Sequence, residues 1–217
     1  MRVAWLPVAL AGVVAVAVGI LLGRSFLSTT TAPEGAAVEI GGIYLTEPRQ
    51  LENFVLTDQD GQLLRPEDFK GHWNFCFFGY TFCPDVCPTT LGQLSAVESV
   101  LSERSTAEDT LFWMISVDPL RDSPTRLKEF VGFFSPRFRG ASGEREQIDA
   151  FARQVGVYYK IHEPKPDTDY YLVDHSAAIL LINPDGALQA VLTPPHTPAQ
   201  ILKDFDKIRA AFRPRAP

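Results

Sequence analysis

Trp73-Asn74-Phe75-Cys76-Phe77-Phe78-Gly79-Tyr80 runs without a charge straight into Thr81-Phe82-Cys83-Pro84-Asp85-Val86-Cys87-Pro88. The first stretch has the length and continuous apolarity of a strand covered on both faces, as in a sheet sandwiched between helices. A Pro/Asp-containing turn and a helix follow it. In open α/β sheets, ligands bind where a strand ends and a helix begins. This junction is therefore the place to look for chemistry.

Working outward, the chain alternates strand-like and helix-like segments. Toward the N-terminus, Phe54-Val55-Leu56 and Gln62-Leu63-Leu64 flank Asp58-Gln59-Asp60-Gly61, a hairpin signal. Downstream, Leu91, Leu94, Val97, Val100 and Leu101 give Thr89 to Arg104 helical spacing, and Leu111 to Val117 reads as a second buried strand. Ser123-Pro124 opens a helix, with the serine as cap and the proline in the first turn. Ile148, Phe151, Ala152 and Val155 mark another helix over Glu144 to Val155. Ala177–Ile182 and Leu188–Leu192 are strands joined by the turn Asn183-Pro184-Asp185-Gly186, and Thr197-Pro198 starts the last helix. The order predicts an α/β sandwich.

Before the domain, Val3 to Gly23 is a run of 21 uncharged residues between Arg2 and Arg24. At about 1.5 Å per residue it crosses a hydrocarbon core of roughly 30 Å. A signal peptide cleaved near Ala15-Val16-Ala17 is the rival reading, but the apolar run continues to Leu22. The expected organisation is an N-terminal membrane anchor over residues 1–27, a small, polar tether over 28–42, and one domain over 43–217. Net charge is −6, and without Arg2 and Arg24 the remaining 18 basic and 26 acidic residues give −8. An acidic domain is a poor binder of polyanions, so nucleic acid is not an expected partner.

Three cysteines are too few for a disulfide scaffold. Cys76 lies between Phe75 and Phe77 in the strand and reads as an inert core residue. Cys83 and Cys87 stand four apart, which on one helical turn brings their Cβ atoms within about 5–6 Å. That spacing suits two thiolates closing on a soft metal ion, and it equally suits a disulfide. Pro88 places Cys87 near a positive helix end, where the thiolate is favoured. Of the four histidines, His72, His162 and His196 sit in polar or turn-like stretches. His175, in Val173-Asp174-His175-Ser176, lies where a loop enters the strand Ala177–Ile182 and can face the cysteines. On spacing alone, a packing role for it is the stronger reading. Two sulfurs and an imidazole form a donor set suited to copper, above all Cu(I), and also to zinc. A structural zinc site would call for a fourth ligand, and none is evident.

Gly79 to Pro88 closely resembles the signature of the Sco/SenC family. Three more motifs follow in the family's order: Ser116-Val117-Asp118-Pro119 with Arg121-Asp122-Ser123-Pro124, then Gly140-Ala141-Ser142-Gly143, then Val173-Asp174-His175-Ser176. The resemblance covers roughly Leu51 to Phe212. It implies a thioredoxin-like three-layer α/β/α sandwich with an added β-hairpin, preceded here by the transmembrane segment. It implies copper as the bound metal, with Cys83, Cys87 and His175 as its ligands and a supporting part for the loop around Asp118. It also implies a metallochaperone that assists assembly of the binuclear copper site of cytochrome c oxidase. The partners would then be the oxidase's copper-bearing subunit, a thiol reductant and a copper donor protein. The domain would face the periplasm from the inner membrane, or the equivalent mitochondrial intermembrane space. Phe82 departs from the pattern, where a polar residue is common. The alternative function is a thiol–disulfide oxidoreductase using Cys83 as nucleophile and Cys87 as resolving thiol. A thiol peroxidase has less support, since it needs one activated cysteine rather than a close pair.

Overall fold

A computed structural model describes residues 38–104, 109–164, 168 and 170–214. The expected anchor over residues 1–27 lies outside the described residues, as does most of the tether. Among the described residues, no helix is long and apolar enough to cross a membrane. Gly41 and Gly42, at the end of the expected tether, are bonded into the domain: the Thr193 amide donates to the Gly41 carbonyl, and Gly42 opens the first strand.

The quoted apolar run is the strand β4 (Trp73–Gly79), buried along its whole length. It is preceded by β1 (Gly42–Gln50), β2 (Leu56–Asp58) and β3 (Leu63–Leu64). After it come α1 (Val86–Ser102), β5 (Thr110–Ser116), α2 (Pro124–Phe134), β6 (Phe138–Ser142), α3 (Arg145–Val155), β7 (Tyr159–Ile161), β8 (Val173–His175), β9 (Ile179–Ile182), β10 (Ala187–Leu192) and α4 (Pro198–Ala211). Eight strands form one sheet in the order β1-β10-β9-β4-β5-β6-β2-β3. β4 pairs in parallel with β5, from Trp73↔Thr110 to Gly79↔Ser116, and antiparallel with β9. The crossover β4-α1-β5 followed by the hairpin β9–β10 and α4 is a thioredoxin-like arrangement, as expected.

Alternation along β4 divides the core into two layers of packing. Trp73 and Phe75 face α4, whose Phe205 ring meets them edge-on at 5.6 and 5.0 Å. On the opposite face Phe78 packs on Phe151 of α3, which stacks in turn on Phe54 at 4.2 Å. Asn74 is the polar exception in this strand. Its amide donates to the Phe69 and His72 carbonyls and accepts from the Trp113 indole, so it is fully partnered.

The helix starts follow the sequence signals. Ser123 accepts the Arg126 amide and Thr197 accepts the Gln200 amide, each beside a proline in the first turn. The turn 183–186 forms as well, with the Asn183 carbonyl oxygen of the side chain accepting two amides and Gly186 at φ +77°. The predicted hairpin is β2–β3, and it sits at the far edge of the sheet. A second hairpin, β7–β8, forms a two-stranded sheet separate from the main one.

Candidate metal centre

α1 begins at Val86, earlier than the predicted Thr89, so Cys87 and Pro88 both fall in its first turn. Cys83 sits in the loop just before, its amide bonded to the Tyr80 carbonyl at 3.2 Å. The Cys87 amide points back at the Cys83 sulfur, 3.4 Å away. Cys87 is fully buried because β4 ends in Gly79: a Cβ there would stand 2.7 Å from the Cys87 Sγ. The glycine leaves the socket that the sulfur fills.

His175 does not lie in a loop, as expected from the sequence. It ends the short strand β8, paired with Tyr159 of β7. That strand brings its ring to the cysteines. Nε2 lies 3.2 Å from the Cys87 Sγ and 3.8 Å from the Cys83 Sγ. All three ligating atoms fall within 4.8 Å of one another, the one such grouping among the described residues. The ring's Nδ1 is 3.1 Å from the Ser176 carbonyl. A carbonyl can only accept, so Nδ1 carries the proton and Nε2 presents its lone pair to the sulfurs. Phe77 and Tyr80 hold the ring edge-on, at 5.6 and 5.8 Å.

The two thiols are unequal. The Cys83 thiol is lowered to about 3, chiefly because Cys87 donates to it. Burial opposes this, while the backbone N–H groups of Asp85 and Cys87 add to it. Cys87 is pushed up, first by burial and then by the neighbouring Cys83 sulfur. The sequence expectation of a thiolate at Cys87 is thus corrected: burial in the Gly79 socket outweighs the helix end, and the negative charge settles on half-exposed Cys83. Because Cys83 is deprotonated at every pH above about 3, its alkylation should be nearly flat with pH. Iodoacetamide should modify it at a rate changing less than about twofold between roughly pH 5 and 8, where an ordinary thiol would change about 1,000-fold. A steep rise through that range, read by mass spectrometry of the reduced protein, would refute the assignment.

The segment from Val117 to Arg126 supports both halves of the donor set. Asp122 is buried and accepts the Thr81 amide, the Thr81 hydroxyl and the Ser116 hydroxyl, at 3.0, 2.6 and 2.6 Å. Arg126 adds a bond to the Thr81 hydroxyl, and its guanidinium lies 3.9 Å from the Phe82 ring centroid. Asp118, fully buried, takes the Tyr171 hydroxyl at 2.6 Å and pairs with Arg121. The part foreseen for Asp118 is therefore a structural tie to the His175 segment. Phe82 is partly exposed, held between Arg121 and Arg126. Sequence spacing does not mark Asp122 or Tyr171 as site residues, although Asp122 lies within one of the family motifs.

The remaining candidates lie away from the centre. Cys76 is buried in the core, and burial raises its thiol. His162 pairs with Asp174, and His196 donates to the Ala177 carbonyl. A cavity of about 250 Å³ opens over Cys83 and His175, lined also by Tyr80, Val86 and Leu172 among others.

Residues 45–210 match the family described as SCO1/SenC. The mitochondrial protein SCO2 homolog of Bos taurus is 36% identical over 161 residues, 74% of this chain and 60% of that protein. The chain thus spans only part of the length of that relative. The crystal structure of Arabidopsis thaliana ScoI with copper bound aligns with a TM-score of 0.67 at 34% identity, covering 72% of this chain and 96% of that one. The structure of Bradyrhizobium japonicum ScoI with copper bound aligns with a TM-score of 0.64 at 32% identity, covering 75% and 99%.

Proposed function

The chain belongs to the SCO1/SenC family, and from that premise we propose that it is a copper metallochaperone whose ligands are Cys83, Cys87 and His175. The observation that carries this reading is the convergence of two sulfurs and one imidazole lone pair within 4.8 Å. Both solved relatives named above carry copper. Soft sulfur donors with an imidazole suit Cu(I).

The chain's own groups divide the work. Cys83 offers a formed thiolate at the mouth of the cavity. Cys87 must release a proton to bind, so metal uptake liberates acid and weakens as pH falls. The Ser176 carbonyl holds the imidazole in the ligating tautomer. Three protein donors leave the ion open on the cavity side, where an acceptor's ligands can replace them stepwise. We assign the acceptor as the copper-bearing subunit of cytochrome c oxidase, with a copper donor protein upstream. The uncharged run Val3 to Gly23 supports an anchor over residues 1–27, with the domain over 43–217 facing the periplasm or intermembrane space. Such compartments are oxidising, so a thiol reductant must keep the pair ready.

A second reading has its own observation. A half-exposed thiolate beside a buried, proton-retaining thiol is the asymmetry of a nucleophile and its resolving partner, which favours thiol–disulfide exchange by Cys83 and Cys87. The deciding experiment is Cu(I) titration against a competing chelator. Reduced protein should take up one Cu(I) per chain, and protein with the Cys83–Cys87 disulfide should take up none. Equal uptake by both forms would remove the pair from the site and the proposal with it.

A further inference from the structure

His175 reaches the cysteines on a hairpin that shares no backbone ladder with the main sheet, so side chains must hold it in place. Several side-chain bonds tie this region to the body. The Val173 amide donates to the Tyr80 hydroxyl at 3.3 Å, and His196 bonds the Ala177 carbonyl at 2.8 Å. Tyr159 donates to Asp149 of α3. Three further ties meet at Tyr171, four residues before His175. Its hydroxyl donates to Asp118, its carbonyl accepts from Arg121 at 3.0 Å, and its ring lies under the Arg121 guanidinium at 3.5 Å.

We propose that Arg121 is a positioning residue, locking the His175 hairpin to the cysteine loop and thereby setting how fast the site releases copper. The lock rests on the ligand assignment proposed above. Arg121 contacts both halves of the donor set: Tyr171 on the histidine side, and the Phe82 and Tyr80 rings on the cysteine side, at 4.7 and 5.6 Å. The buried Asp118 carboxylate fixes its Nε, and its side chain is only 14% exposed. A guanidinium can bond through its fork and stack on rings at the same time. A lysine ammonium keeps the charge but has neither the plane nor the fork.

The test compares wild type with Arg121→Lys and the milder Tyr171→Phe, which loses only the hydroxyl bond to Asp118. Outer-shell partners of metal ligands are worth about 10- to 100-fold in metal affinity. In Arg121→Lys, Cu(I) release to a chelator should quicken by about tenfold or more, and in Tyr171→Phe by less. In the metal-free proteins, amide exchange at His162 and Val173 should accelerate while exchange at Phe77 in β4 stays unchanged. General destabilisation would instead quicken all three. Wild-type rates of release and of hairpin exchange in both variants would overturn the lock. A wild type that takes up no copper would overturn the ligand assignment instead, and the metal-free exchange would still decide whether Arg121 holds the hairpin.

Discussion

Replacing His175 by alanine should weaken Cu(I) binding by the reduced protein at least about 100-fold, beyond what the loss of an outer-shell partner costs. The reason is geometric. Nε2 sits 3.2 and 3.8 Å from the two sulfurs, and no other described His, Cys, Asp or Glu shares that grouping. The fold should survive. The ring meets Phe77 and Tyr80 only by their edges, contacts worth about 0.5–1.5 kcal/mol each. Chelator competition measures the affinity, and X-ray absorption should lose its nitrogen scatterer. The same variant separates the two functions, because thiol–disulfide exchange needs only the cysteines. Retained exchange with lost copper would mean that both activities share the pair. An unchanged copper affinity would leave the imidazole without a role in binding.

Asp122→Ala should produce the largest loss of stability of any single change near the centre, about 3 kcal/mol. The carboxylate is 2% exposed and takes three hydrogen bonds from Thr81 and Ser116. Burial, the largest influence, raises its pKa, and the nearby Asp118 carboxylate adds to that, while the bonds from Ser116 and Thr81 oppose it. At neutral pH the charge therefore carries a desolvation cost, and removing it returns part of the loss. The three donors left without an acceptor outweigh that return, at about 1–3 kcal/mol for each unsatisfied group. Asp122→Asn should be only slightly milder. Its amide would present N–H to donors already aimed at Oδ2. Urea unfolding should show a lower midpoint with an unchanged slope. A loss under about 1 kcal/mol would mean that water replaces the carboxylate.

How far the sequence could be read depended on whether a segment carries a local signal. β4 and β5 are long apolar runs, and the Ser-Pro and Thr-Pro starts of α2 and α4 are cap chemistry that acts within one turn. These were legible. β1 is an edge strand with no buried residue, so no alternation marks it. β7 and β8 are three residues each, too short for any period to register. That is why the sequence places His175 only at the junction of a loop and a strand. The cysteines announced themselves by spacing, whereas His175 entered through the family resemblance, since spacing favoured a packing role. The raised pKa of Cys87 is hidden in the sequence for a related reason. A helix end is visible in sequence, but the depth of Cys87 depends on Gly79, eight positions earlier and on another element.

That same contact makes one atom serve two masters. In the proposed site the Cys87 sulfur is a donor to the ion, and it is also the plug that fills the gap above the last residue of β4. Exchange to serine would set a shorter, polar group in a greasy seat, and exchange to alanine would leave it empty. Either change would disturb packing and ligation together, so a lost activity at position 87 has two causes that must be told apart. Cys83, at the mouth, is bound by no such double duty. The reactivity of the outer sulfur is therefore less tied to packing, while the inner one is held by both the chemistry and the architecture.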